Sequence, residues 1–262
     1  SGKAAVQELH KLGAQVVAQD VHTVDAVDPK FAKYLEKEGI PALFGCNPDN
    51  MGEYDLVVIS PGVSPDLSFL QEARLYGVEV IGELELAYRL SKGTFIAITG
   101  TNGKTTTTAL TGEIMRHFFN SVFVVGNIGE PFAFHALETM DETVTVAEVS
   151  SFMLETMTDF HPNVSAILNI TPDHLDRHKT MECYIETKES ITKNQKEGDV
   201  CVLNYEDPVL REFGETLKDI KVVYFSSLRT LKQGFYLKED EIVYNDGEKE
   251  TVIVNIHDLK LL

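Results

Sequence analysis

One short stretch constrains this chain more than any other. Ile96-Ala97-Ile98-Thr99-Gly100-Thr101-Asn102-Gly103-Lys104-Thr105-Thr106 runs from an apolar segment through a turn with two glycines into a Lys-Thr step that opens a helical pattern. A buried strand that turns directly into a helix belongs to a parallel sheet covered by helices. The turn also has the physics of a phosphate cradle, because glycines let backbone N–H groups approach an anion and a helix N-terminus favours negative charge. On this reading Gly100, Thr101, Asn102, Gly103, Lys104, Thr105 and Thr106 bind a nucleotide. Lys104 meets the outer phosphates and the Thr105 hydroxyl holds magnesium. The spacing is shorter than GxxxxGK[ST], since Ile98 stands five before Gly103.

The rest of the chain alternates in the same way. Helices are expected over Lys3–Gly13, Lys30–Glu38, Asp66–Tyr76 and Glu83–Leu90, with strands at Ala14–Ala18, Tyr54–Ile59 and Val78–Ile81. Ser91-Lys92-Gly93 reads as a linker. Beyond it strands are expected at Thr94–Thr99, Ser121–Val125, Val144–Glu148, Val164–Asn169, Val200–Asn204 and Val222–Phe225. The tail Gly234–Ile256 alternates apolar and polar residues around Asn245-Asp246-Gly247, a hairpin-turn signal. The fold class is therefore α/β with a mostly parallel sheet. A first unit over 1–91 and a second over 92–258 are expected, with 259–262 beginning a linker. The opening helix with no strand before it and the apolar, uncapped end suggest a fragment.

Charge narrows the partners. Lys and Arg total 23 against 41 acids, a net charge of −18, which repels phosphate backbones and argues against nucleic acid. Small phosphorylated ligands remain open, because local N–H groups and magnesium can hold them. No apolar run approaches the ~20 residues of a membrane helix, and no leader opens the sequence. Cys46, Cys183 and Cys201 are odd in number, lack CxxC spacing and read as buried, reduced thiols of a cytoplasmic protein.

Two more strand ends carry chemistry. Val144-Thr145-Val146-Ala147-Glu148-Val149-Ser150-Ser151 places an acid where a buried strand runs out, near the phosphate loop and suited to a hard cation. Ala166-Ile167-Leu168-Asn169-Ile170-Thr171-Pro172-Asp173-His174-Leu175-Asp176-Arg177-His178 does the same with His174 between two aspartates. Asp173 and Asp176 could equally cap a helix from about Met181. That helix carries Glu182, Glu186, Lys188, Glu189 and Lys193, among which composition selects none. Asn127, in Gly126-Asn127-Ile128-Gly129, could orient a phosphate or cation or could simply shape a turn. Gly62, in Ser60-Pro61-Gly62, suits contact with a diphosphate, and Asp20 ends a strand where such a sheet often places a ribose-reading acid.

In order, Gly100–Thr106, Glu148-Val149-Ser150-Ser151 and Asn169–Arg177 resemble the Mur ligases, ATP-dependent amino-acid ligases of peptidoglycan precursor synthesis related to folylpolyglutamate synthetase. Ser60-Pro61-Gly62, Gly126–Gly129 and Ala147–Glu155 are most similar to the branch that joins D-glutamate to UDP-N-acetylmuramoyl-L-alanine, although Met153 stands where glutamine is common there. The resemblance implies a UDP-binding Rossmann-like domain, a central ATPase domain and a C-terminal Rossmann-like domain that this chain lacks. It implies ATP and two magnesium ions. Lys104 and Thr105 would serve the phosphates and one magnesium, while Glu148 and His174 would serve the other. Lys188 matches a lysine that the family carbamylates to support that metal. Asn127 and Ser150 would face the muramoyl-alanine end and Gly62 the UDP diphosphate. A cytoplasmic monomer acting on small molecules, without nucleic acid or membrane, is expected. Competing readings are another Mur ligase, a folylpolyglutamate synthetase-like ligase, or a non-catalytic nucleotide-binding module.

Overall fold

Short apolar segments punctuated by glycine and proline give this chain thin βα repeats, and a computed structural model describes them over residues 1–127 and 129–259. The expected linker beyond Leu259 and Ile128 of the Gly126–Gly129 turn lie outside the described residues. The chain forms two units. The first takes Ser1–Gly93, Val125–Glu142 and Glu155–Phe160, and the second takes Thr94–Val124, Thr143–Leu154 and the chain from His161 onward.

In the first unit, α1 (Gly2–Lys11) buries Ala4, Ala5 and Glu8 and stops at Gly13, whose φ is +83°. Strand β1 (Ala18–Asp20) pairs in parallel with β2 (Ala42–Phe44) across α2 (Pro29–Glu38). Asp28 caps α2 by accepting from the Lys30 N–H, and Gly39 ends it in the left-handed conformation. Strand β3 (Leu56–Ile59) pairs in parallel with β4 (Glu79–Gly82) across α3 (Ser68–Leu75), and α4 (Glu83–Leu90) follows. The strand expected over Ala14–Ala18 thus begins where that expectation ends, and β2 was not foreseen. A three-residue strand straight after Pro41 is too short to show a period.

The second unit is built on a nine-stranded sheet. In chain order come β5 (Thr94–Thr99), α5 (Lys104–Arg116), β6 (Val122–Gly126), α6 (Ala133–Ala136, grouped with the first unit), β7 (Val144–Glu148) and α7 (Ser151–Leu154). Next are β8 (Val164–Ile167), α8 (Leu175–His178), α9 (Met181–Glu189), β9 (Val200–Asn204), α10 (Pro208–Thr216) and β10 (Lys221–Ser226). Strands β11 (Gly234–Lys238), β12 (Glu241–Asn245) and β13 (Glu250–Asn255) complete it. Across the sheet the order is β13-β12-β11-β10-β9-β8-β5-β7-β6. Pairings from β7 through β5, β8, β9 and β10 to β11 are parallel, and the last three strands are antiparallel. The sheet is mostly parallel, as expected.

Ile98, Val144, Val146 and Ala166 form the core beside β5, with Ile96, Met115, Val122, Val124, Leu168 and Val202 packed on them. All five residues of β7 are buried, as a strand covered on both faces requires. The Asp246–Gly247 turn joins β12 to β13, with Gly247 at φ +107°. A second hairpin, turning at Glu239 with φ +54°, was not foreseen. Among the described residues no helix is long and apolar enough to cross a membrane.

Candidate functional site

Strand β5 lies between β7 and β8, so the segments leaving these three parallel strands emerge side by side. Ligand crevices of open α/β sheets form at such carboxyl ends. Gly100 follows β5 with φ +147°, and a Cβ there would lie 3.1 Å from Leu168 Cβ and 3.3 Å from its backbone nitrogen. Gly103 sits at φ +83° as the N-cap of α5, a conformation most other residues adopt only with strain.

The loop between these glycines is held from the β8 side. Asn169 Oδ1 accepts from the Asn102 N–H at 2.8 Å, and Asn169 Nδ2 donates to the Asn102 carbonyl at 3.0 Å. The Asn169 carbonyl accepts from the Thr101 N–H at 2.9 Å. Thr101 Oγ1 donates to the Thr171 carbonyl at 3.1 Å and accepts from the Thr171 N–H at 3.0 Å. Behind this, Asn204 Nδ2 donates to the Leu168 carbonyl and Asp207 accepts from the Ile170 N–H, each within 3.0 Å. The sequence pattern assigns Asn169 no part in the loop. An asparagine at a strand end carries no local sign of a partner 67 residues away.

The cations and the acid gather at the same place. Lys104 Nζ donates to the Gly100 and Thr101 carbonyls at 3.0 and 2.9 Å, folded back over its own loop. Lys188, buried, also donates to the Gly100 carbonyl at 2.9 Å, and its Nζ lies 4.7 Å from the Tyr184 ring centroid. Burial, and then the charge of Lys104, push the Lys188 amine down to about 7, against a smaller opposing pull from Asp173. Thr105 Oγ1 donates to Glu148 Oε2 at 2.8 Å, and Glu148 is buried. Among the described residues no three of His, Cys, Asp and Glu cluster as a metal-binding set. A hydroxyl beside one buried carboxylate nonetheless fits magnesium, which keeps several waters and takes one or two carboxylates plus substrate phosphates.

His174 stands at the start of α8 with φ +51° and its side chain half exposed. Its ring contacts Phe152, at 4.9 Å between centroids, and Nε2 is 3.6 Å from Asp173 Oδ2. Asp173 Oδ1 accepts from the His174 N–H, and Asp176 lies inside α8. Neither caps α9, whose cap is Thr180, accepting from the Cys183 N–H. Ser150 Oγ accepts from the Met153 N–H at 3.3 Å. Gly62 and Asn127 belong to the first unit, as does Asp20, which ends β1 and holds His22 at 2.8 Å. His178, to which the sequence pattern assigns no part, is buried against Ser151, Phe152 and Tyr184.

A mostly parallel sheet whose strand β5 opens into a glycine loop, with a lysine, a helix N-terminus and a hydroxyl–carboxylate pair around it, defines a protein of the α/β class. Residues 98–261 match the Mur ligase middle domain, and the chain belongs to the Mur ligase family. It is 47% identical over 265 residues to the UDP-N-acetylmuramoylalanine–D-glutamate ligase of Lachnoclostridium phytofermentans, covering 100% of this chain and 58% of that protein. It is 44% identical to the protein of that name from Alkaliphilus metalliredigens, with the same coverage of each. The chain thus spans just under three fifths of the length of these relatives. Among solved structures it resembles the UDP-N-acetylmuramate:L-alanyl-gamma-D-glutamyl-meso-diaminopimelate ligase of Neisseria meningitides. There the TM-score is 0.59 at 16% identity, over 94% of this chain and 80% of that one.

Proposed function

We propose that this chain is the nucleotide-binding part of an ATP-dependent ligase that joins D-glutamate to UDP-N-acetylmuramoyl-L-alanine through an acyl phosphate. The observation that carries the reading is the Thr105 hydroxyl set on buried Glu148 at the mouth of the glycine loop. Similarity to relatives bearing the D-glutamate ligase name supports the choice of amino acid.

In this reading the N–H groups from Gly100 to Thr106 cradle the ATP phosphates. Lys104 leaves the Gly100 and Thr101 carbonyls to meet the β- and γ-phosphates. Thr105 would hold one magnesium, and Glu148, His174 and Lys188 would serve a second. Magnesium held by these residues would supply positive charge against the phosphates. The substrate carboxylate attacks the γ-phosphorus and ADP leaves. The amine of D-glutamate then attacks the acyl carbon, releasing phosphate and forming the amide. No side chain becomes a covalent nucleophile, since positioning and electrostatics carry such transfers.

Lys188 supports a carbamate. Its low amine pKa supplies the neutral nitrogen that adds to carbon dioxide, forming an N–C bond and releasing one proton. The product is an anionic oxygen donor where a cation stood. Residues 1–91 are read as the Rossmann-like UDP-binding domain, with Gly62 serving the diphosphate, and 92–258 as the central ATPase domain, with Asn127 and Ser150 serving the muramoyl-alanine end. A C-terminal Rossmann-like domain completes the enzyme, which works as a cytoplasmic monomer without nucleic acid or membrane.

The test is ADP release in a protein of the relatives' full length, given UDP-N-acetylmuramoyl-L-alanine and D-glutamate, L-alanine, L-lysine or meso-diaminopimelate in turn. Release with D-glutamate alone is expected, and release with another amino acid instead overturns the specificity. Lys104→Ala and His174→Ala are each expected to lower turnover by orders of magnitude, and a near-normal rate in either removes that residue from the mechanism.

A further inference from the structure

Helix α8 is four residues long, too short to hold itself, and it is flanked by two non-glycine residues at positive φ, His174 at +51° and Lys179 at +71°. Backbone of this kind persists where tertiary contacts impose it. The buried residue of α8 is its last. His178 is 6% exposed, and its Nε2 is hydrogen-bonded at 2.9 Å to Ser151 Oγ, itself 3% exposed. The His178 ring stacks on Phe152, with centroids 5.7 Å apart and planes 24° apart, and meets Tyr184 at 5.1 Å. Phe152 also carries the His174 ring at 4.9 Å and the Arg177 guanidinium at 5.1 Å. Tyr184 reaches Thr101 of the glycine loop through its hydroxyl at 3.2 Å.

His178 therefore joins three segments that bear candidate groups. Ser151 and Phe152 begin α7, directly after Glu148 and Ser150. His174 opens the turn that His178 closes. Tyr184 lies one helical turn before Lys188 on α9. None of these groups is His178 itself, which is directed into the protein.

We propose that His178 is a positioning residue: its hydrogen bond to Ser151 fixes the spacing between the Glu148–Ser150 corner and the turn that carries His174, and so sets how well the site takes magnesium together with ATP. This rests on the nucleotide reading given above. A buried pair that served stability alone would leave the magnesium response untouched.

The experiment measures ATP affinity of the 262-residue chain with and without MgCl2, and takes the ratio, in Ser151→Ala, His178→Phe, the double variant and His178→Gln. Phenylalanine keeps the stacking and loses the bond, and glutamine can place an amide where Nε2 lies. Loss of one hydrogen bond is expected to lower the magnesium ratio about five-fold in each single variant, with affinity for metal-free ATP within about two-fold. The double variant should be no worse than either single one, because both remove the same interaction. Glutamine should restore most of the ratio.

An unchanged ratio in Ser151→Ala and His178→Phe overturns the proposal, whatever happens to their melting temperatures. If His178→Phe does not fold, Ser151→Ala and His178→Gln decide the matter by the same ratio. Failure of the unsubstituted chain to bind ATP at all overturns the nucleotide reading, and the proposal falls with it.

Discussion

Replacing Asn169 with alanine is the most direct way to ask whether the glycine loop is shaped before its ligand arrives. The change removes two hydrogen bonds to Asn102, at 2.8 and 3.0 Å, and leaves the Asn169 carbonyl on the Thr101 N–H. Each bond is worth about 0.5–1.5 kcal/mol net, and Asn102 is exposed, so water takes up the freed groups without an orphaning penalty. The loop then loses roughly 1–3 kcal/mol of bias toward the cradle. A ligand that needs the cradle binds weaker by the fraction of molecules that hold it. At about 1.4 kcal/mol per factor of ten, ATP affinity should fall by roughly ten-fold or somewhat more. Asn169→Asp keeps the acceptor but sets an anion against the Asn102 carbonyl and beside the phosphates, so it should bind at least as weakly. Calorimetric titration with ATP and MgCl2 reads the affinity, and a thermal melt confirms that the variants are folded. An Asn169→Ala protein that is folded and binds ATP within about two-fold of the unsubstituted chain would falsify the argument.

Two further outcomes follow from buried charge. Lys188 titrates near 7 when folded against 10.5 in its ordinary state, so between those values the unfolded chain holds a proton that the folded one lacks. Stability should therefore rise with pH across that window, and Lys188→Met should remove that part of the rise. Urea midpoints at pH 7, 8 and 9 in carbon dioxide-free buffer check this, and identical slopes for the two proteins refute it. In the first unit, the Glu85 carboxylate, buried at 1% exposure, accepts from the backbone N–H groups of Thr158, Asp159 and Phe160 at 2.9–3.0 Å and from Arg89 Nε at 2.9 Å. Glu85→Ala strands those donors and should cost about 3 kcal/mol in urea unfolding, while a loss under about 1 kcal/mol would contradict the count of bonds.

The parts of the site legible in the sequence are those whose physics is local. A strand, two glycines and Lys-Thr announce a strand that turns through a glycine loop into a helix, because each residue is needed within a few positions of the next. The Asp246–Gly247 hairpin is legible for the same reason. Glu148 was legible as an acid at a strand end, and its place beside Thr105 follows from β5 and β7 being neighbours. What was not legible depends on distant partners or on very short elements. Strand β2 has three residues, and the Glu239 turn lacks a glycine. Asp173 and Asp176 look like caps for α9, but α8 intervenes and Thr180 stands one residue before Met181 in the extended conformation a cap requires. A histidine four residues after His174 has no assigned part in the sequence pattern, and only the fold shows it buried.

Gly100 shows how the two kinds of information meet. Read alone, its glycine serves the anion, by letting N–H groups approach. In the fold its missing side chain also admits the Leu168–Asn169 backbone, whose nitrogens a Cβ would meet at 3.3 and 3.4 Å. That approach lets Asn169 reach Asn102, and the Gly100 carbonyl receives both Lys104 and Lys188. Two ammonium groups on one carbonyl repel each other, which is part of why the Lys188 amine is held down. If Lys104 turns away to a bound phosphate, that repulsion weakens and Lys188 takes up a proton more readily. Any event that makes Lys188 anionic instead draws Lys104 toward it and away from the phosphates. The two lysines are therefore linked through one peptide oxygen, and neither can be understood from its own motif.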